Sequence, residues 1–277
     1  MRQLTFGYLT LSDCTQIEII DVAKASGFNS LGLRVEGRRN GDGYPFTIVG
    51  DAAKLREVKS RLASTGLRLS NVNGKYLEAH TTTDDIKGLV DAAAELGCPF
   101  ILANGYDDDE KRTTDNLAKM CELAQKAGNI RIAVEFVPYQ SINSLKMAYE
   151  MVKRTGMENA GLVPDPLHIS RSGGSPTDFS GLDLSRVFYA QICDAPAQRP
   201  DSLDGCLKEA RTGRMYPGEG GLPLFDYLDA IPADCELEIE VANAADQKLP
   251  PLERGKKVAA AFHKFMDAYE AHRKSRN

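Results

Sequence analysis

The chain has 277 residues, 42% of them hydrophobic and 26% charged, with a formal net charge of −5; this length suits one α/β domain, because α/β barrels commonly run near ~250 residues. The acidic balance lacks the basic footprint that nucleic acid or an anionic membrane attracts, and no apolar run is long enough to span a bilayer. The first residues turn polar too early for a secretion signal, and six scattered cysteines without a CxxC pair read as reduced thiols, so a cytoplasmic protein is expected.

Strand-like runs then alternate with amphipathic helical patterns. In chain order the sequence predicts a strand over Leu4–Leu9, a helix over Gln16–Ser26, a strand over Ser30–Val35, a helix over Asp51–Thr65 ended by Gly66, and a strand over Arg68–Asn73. Asp84 is expected to cap a helix running to Leu96; Pro99–Asn104 is the fourth strand and Thr113–Ala127 the next helix. The second half repeats the theme, with strands at Arg131–Phe136, Ala160–Asp165, Val187–Asp194 and Glu236–Val241. Its helices are Ile142–Thr155, Leu222–Ala230 and Pro251–Arg273, and Phe179–Leu184 supports only a turn or two.

Eight such βα units predict a parallel (β/α)8 TIM barrel, a single domain over residues 1–277. An open doubly wound sheet would be expected to carry GxGxxG after its first strand, and Gly7-Tyr8-Leu9-Thr10 is nothing like it. The Gly- and Pro-rich stretches Glu36–Tyr44 and Asp194–Gly221 follow strands, so both read as active-site loops and the longer one as a lid.

Four strands end on an acid or an amide: Glu135 in IAVEF, Asp165 in GLVPDPLH, Gln191 in VFYAQICDA and Glu240 in ELEIEV. In a closed barrel these side chains converge, and three carboxylates at one point repel unless something positive sits between them. A divalent metal, Mn or Mg, is the simplest answer for such hard oxygen donors. Glu238 lies on the same face of its strand as Glu240, and the sequence gives no account of it. Pro166 should hold Asp165 extended. His168, three residues beyond Asp165, is a candidate ligand, substrate contact or proton shuttle. Arg34, Arg171, Arg211 and Arg214 fall near the barrel mouth, where they suit a carboxylate, phosphate or polyhydroxy substrate. Asn73 and Asn104 end strands and are expected to line the pocket, and Asp194 either orients a ligand or caps the loop that follows it.

Through ASGFNSLGLR, IAVEFVPY, GLVPDPLHISRSGG, FYAQICDAP, RTGRMYPGEGGLPL and the IEV strand end, the chain resembles the sugar phosphate isomerase/epimerase superfamily of xylose-isomerase-like TIM barrels. The resemblance implies a divalent metal held by Glu135, Asp165, Gln191 and Glu240, with His168 contacting substrate. It also implies that the two glutamates remove and return a proton beside a carbonyl through a metal-stabilised enediolate. Ser141 and Ala197 stand where ketose 3-epimerases of the family have Glu and Arg, which argues against free ketose epimerisation. The expected activity is therefore an isomerase or epimerase of a sugar, keto-sugar or cyclitol. The alternatives are a lyase or dehydratase of the dehydroshikimate-dehydratase or glycoside-cleaving kind, and a non-catalytic sugar-binding subunit. The expected partner is a small polyhydroxy molecule, with a homo-oligomer left open.

Overall fold

A computed structural model describes residues 2–39 and 43–276. Its eight strands are β1 (Leu4–Phe6), β2 (Ser30–Arg34), β3 (Arg68–Leu77), β4 (Phe100–Gly105), β5 (Arg131–Val134), β6 (Ala160–Leu162), β7 (Ala190–Ile192) and β8 (Leu237–Ile239). All hydrogen-bonded neighbours are parallel, in the order β6-β5-β4-β3-β2-β1-β8-β7. A parallel bridge between Leu162 and Val187 brings the two ends of this order together. The protein is a (β/α)8 TIM barrel.

The helices that return each strand to the same end are α1 (Gln16–Ala25), α2 (Ala52–Thr65), α3 (Thr83–Glu95), α4 (Glu110–Gly128), α5 (Leu145–Arg154), α6 (Pro166–Arg171), α7 (Leu203–Thr212), α8 (Leu224–Ala230) and α9 (Pro251–Arg276). Their starts follow side-chain chemistry. Thr15 caps α1 in a reciprocal box with Glu18. α3 is capped by Thr82, boxed with Asp85, and not by Asp84; the T-x-x-D pair satisfies two backbone donors at once, which a lone Asp84 cannot. No described helix is long and apolar enough to cross a membrane.

Four segments depart from the sequence reading. The sixth helix is α6 at Pro166–Arg171, capped by Asp165, and the stretch around Phe179–Leu184 holds only 3-10 turns. β3 continues past Asn73 to Leu77 through a register shift between Val72 and Lys75. The first strand stops at Phe6 and gives way to a 3-10 turn at Tyr8–Leu11. The segment Asp194–Gly221 contains α7, whose buried face is only Cys206 and Ala210, too narrow a stripe to register as a helical period.

Inside the barrel, alternation along the strands stacks chemistry in layers. Phe100, Leu102, Ala133, Val163 and Tyr189 form an apolar plug, with the Phe100 and Tyr189 rings 5.3 Å apart. The polar residues that end the strands lie beyond it, toward the C-terminal face. Around that face, Asp246 accepts from the Tyr216 hydroxyl at 2.5 Å and from Lys257 at 2.7 Å, which ties the segment after α7 to α9. Burial opposes its charge, but the Lys257 ammonium and the Tyr216 hydroxyl outweigh burial and hold the carboxyl below its usual range. A lowered carboxyl stabilises the fold above the ordinary carboxylate range and loses that contribution as pH falls through its folded value. Asp246→Asn should cost about 1–3 kcal/mol at neutral pH and flatten part of the acid limb of a thermal-denaturation profile; an unchanged acid limb would contradict this.

Candidate functional site

Three glutamates point into the barrel from β8 and its flanks, one above the other. Glu236, at the bottom, meets Arg68 at 2.6 Å and accepts from Thr5 and Ser30. Glu238, in the middle and fully buried, accepts from the Asn71 amide at 2.9 Å and the Gln191 amide at 3.3 Å. Glu240, at the top, leaves its Oε1 buried without a partner. Glu238 thus fixes which way Gln191 faces: the NH2 is spent on Glu238, so the amide oxygen is left buried and unpaired. Room for this ladder comes from glycines on the neighbouring strands. A Cβ at Gly7 would lie 2.5 Å from Glu240 Cγ, and one at Gly32 would collide with the Glu238 and Asn71 head groups.

The opposite wall is built from β4, β5 and β6. Asn104 Nδ2 donates to Glu135 Oε2 at 2.8 Å and to the Glu135 carbonyl at 3.1 Å, which sets the rotamer of Glu135. Asp165 is extended, as Pro166 requires, and caps α6 by accepting from the Leu167 N–H at 2.7 Å. Its other oxygen meets Arg214 Nη1 at 2.6 Å and lies 3.9 Å from His168 Nε2. Burial pushes the Asp165 carboxyl up, yet the Arg214 guanidinium and the Leu167 N–H prevail and lower it. Burial lowers His168, keeping the imidazole neutral, and its Nδ1 has no partner.

Oxygens of Glu135 and Asp165 and a ring nitrogen of His168 all lie within 4.8 Å of one another, a cluster able to hold a metal ion. The Glu240 carboxyl is raised by burial and then by Glu238, with Arg214 opposing and Glu135 and Asp165 adding to the rise. The two carboxylates and the ring nitrogen of this triad suit a divalent cation. Glu135, His168 and Glu240 line a narrow chamber of about 40 Å³, together with Arg38, Arg211, Arg214, Asn73, Asn104, Tyr76, Tyr106 and Tyr139.

The family model of the xylose isomerase-like TIM barrel matches residues 20–264. The chain belongs to that family. Inosose isomerase of Halalkalibacterium halodurans is 27% identical over 157 residues, 53% of this chain and 53% of that protein. The 3-dehydroshikimate dehydratase of Pseudomonas aeruginosa is 29% identical over 163 residues, 57% of this chain and 23% of that protein. The matched stretch thus spans about half the length of the inosose isomerase and less of the dehydratase. A crystal structure of IolI protein with a bound zinc atom superposes with a TM-score of 0.80 at 20% identity, covering 96% of this chain and 99% of that one.

Within this xylose isomerase-like barrel Glu135, His168, Arg214, Glu240, Asn73 and Asn104 line one chamber, with Asp165 against Arg214 and His168; Gln191 turns its amide to Glu238 and is not among the lining residues, and three more expected residues stand elsewhere. Arg171 is buried in a bidentate pair with Glu209, at 2.7 and 2.9 Å, and clamps α6 to α7. Asp194 spends both oxygens on four backbone N–H groups, of Ala195, Gly218, Gly220 and Leu222, at 2.9–3.1 Å. It pins the loop that follows α7 and orients no ligand. The segment expected to form a lid is therefore tied down. Arg34 donates to the Glu36 carbonyl and stacks over Tyr44, on the outer wall of the pocket. The sequence reading missed Arg38, Tyr76, Tyr106 and Tyr139. Arg38 follows β2 in the loop already marked as catalytic, and that position was the available signal.

Gly32→Ala should cost roughly 1–3 kcal/mol, because Glu238 and Asn71 cannot both stay in place. A melting temperature equal to that of the parent would contradict the ladder packing.

Proposed function

We propose that this chain is a divalent-metal-dependent isomerase or epimerase of a polyhydroxy carbonyl compound, a keto-sugar or cyclitol ketone. The observation that carries this reading is the grouping of Glu135, Asp165 and His168 within 4.8 Å of one another, with Glu240 and its unpaired buried oxygen on the chamber that Glu135 and His168 line. Glu135, Asp165, Gln191 and Glu240 would hold the ion, Mn or Mg suiting the oxygen donors, and His168 faces the same point. When bound, the ion supplies Lewis acidity that acidifies the C–H beside a carbonyl. The inosose isomerase relatives support a cyclitol or sugar ketone as substrate class.

The chain's own residues divide the remaining work. Glu135 and Glu240 come from β5 and β8, on different sides of the chamber, so one carboxylate takes a proton from carbon and the other returns it. Asn104 holds Glu135 in place for this. His168, kept neutral, offers a hydrogen bond to a substrate oxygen, and Arg214 orients a second. Tyr76, Tyr106 and Tyr139 narrow the mouth and exclude water.

The second reading is elimination, supported by the dehydratase relative. The same proton removal can expel a β-hydroxyl, and a product with a new ultraviolet chromophore, formed with loss of water, would replace isomerisation as the conclusion.

Protein purified without added metal should carry about one divalent ion per chain by elemental analysis, and Glu135→Ala and Asp165→Ala should lose it. On a panel of cyclic and open-chain hydroxy-ketones, Glu240→Gln should lower turnover by at least ~10²-fold. A wild type that neither carries nor takes up such an ion would overturn the metal site, and near-normal turnover in Glu240→Gln would overturn its catalytic role. Glu238→Gln tests a positioning role: its amide would let Gln191 turn its NH2 into the chamber, weakening metal affinity by about 10–100-fold in a metal titration. Unchanged affinity would sink that assignment.

A further inference from the structure

The chamber opens into a wider vestibule of about 710 Å³. Arg34, Arg38, Arg39 and Arg211 line it, and none of the described residues lining it is Asp or Glu. The chain as a whole carries a net charge of −5, so four arginines gathered at one mouth run against its composition.

They are positioned rather than scattered. Arg38 donates to the Tyr76 hydroxyl at 3.1 Å and to the Tyr8 hydroxyl, and its guanidinium lies 5.6 Å from the Tyr76 ring centre. Arg39 lies 5.2 and 5.3 Å from the stacked rings of Tyr76 and Tyr106, and pairs with Glu78 at 3.2 Å. Arg211 stands exposed on the last turn of α7. Arg38 and Arg211 line the inner chamber as well as the vestibule, so they stand where the two spaces meet. A ligand reaching from Glu135 and Glu240 toward solvent passes between them.

We propose that the substrate is an anion: a polyhydroxy carbonyl compound whose carboxylate or phosphate lies between Arg38 and Arg211 while its carbonyl end faces Glu135 and Glu240. This rests on the reading of the site as one for a hydroxy-ketone and narrows it. The guanidinium groups at the mouth attract an anionic group and match its geometry, which holds the charged end at the mouth and leaves the carbonyl end to face Glu135 and Glu240.

Calorimetric titration of the metal-loaded full chain with three probes tests this: myo-inositol, which is neutral; quinate, a hydroxylated ring with a carboxylate; and myo-inositol 1-phosphate. At least one anion should bind about tenfold more tightly than myo-inositol, the size expected of one charge-assisted contact, and the winner separates carboxylate from phosphate. Arg211→Gln should remove that preference while metal content and myo-inositol affinity stay unchanged, and Arg38→Gln should reduce it. Equal affinity for neutral and charged probes, no binding of either anion, or an intact preference in Arg211→Gln would overturn the proposal. The two readings fail separately. Metal-dependent turnover of neutral hydroxy-ketones without anion preference sinks only this one. Anion preference in a protein that takes up no metal sinks only the other.

Discussion

The structure turns on the cost of burying negative charge at one end of the barrel. Asp165, Glu238 and Glu240 are each at most 2% exposed, and Glu135 stands beside them. Isolated carboxylates cannot be buried at this density without partners. Each is handled differently. Asp165 has Arg214 and a helix N-terminus, while Glu135 has the Asn104 amide. Glu238 has two amides but remains raised to about 8, chiefly by burial. Glu240 is raised as well and keeps an unpaired oxygen. The fold thus leaves one carboxylate oxygen at this end of the barrel, on Glu240, buried without a partner.

Other features follow from accommodating these carboxylates. Glycine at positions 7 and 32 concedes the volume that β8 fills with glutamate head groups. The apolar plug of Phe100, Leu102, Ala133, Val163 and Tyr189 supplies the packed core that the polar half of the barrel cannot. Loops above the site are fixed by Asp194 and by the Arg171–Glu209 clamp, so the chamber wall is held by buried polar contacts. Glu238 shows how deep the arrangement reaches: it meets no solvent, yet it takes the Gln191 NH2 and leaves that amide's oxygen buried and unpaired.

The barrel and its strand-end acids were legible in the sequence for a physical reason. A carboxylate closing a β-branched run is costly wherever it lands, and three of them with an amide at matching strand ends have one economical explanation. The roles of the arginines were not legible. Arg171 and Arg214 both follow strands, but Arg171 is claimed by Glu209, 38 residues away, and only the fold brings those two together. The partner of Glu238 was hidden likewise, since Asn71 lies 167 residues from it. Arg38 lay in a loop already marked by its place after β2, but only Tyr8 and Tyr76 closing around it single it out from its neighbours. α7 escaped because two small buried residues make no period, and Asp194 because a side chain that caps a loop and one that orients a ligand look alike until their hydrogen bonds are seen.

The most direct test of the account is a crystal of the full chain soaked in Mn2+, with anomalous differences collected at the manganese edge. The account predicts one strong peak bounded by Glu135, Asp165, Gln191 and Glu240, with the Gln191 oxygen, not its nitrogen, facing the ion and its NH2 still on Glu238. No peak in the barrel, or a peak held by surface carboxylates alone, would contradict it.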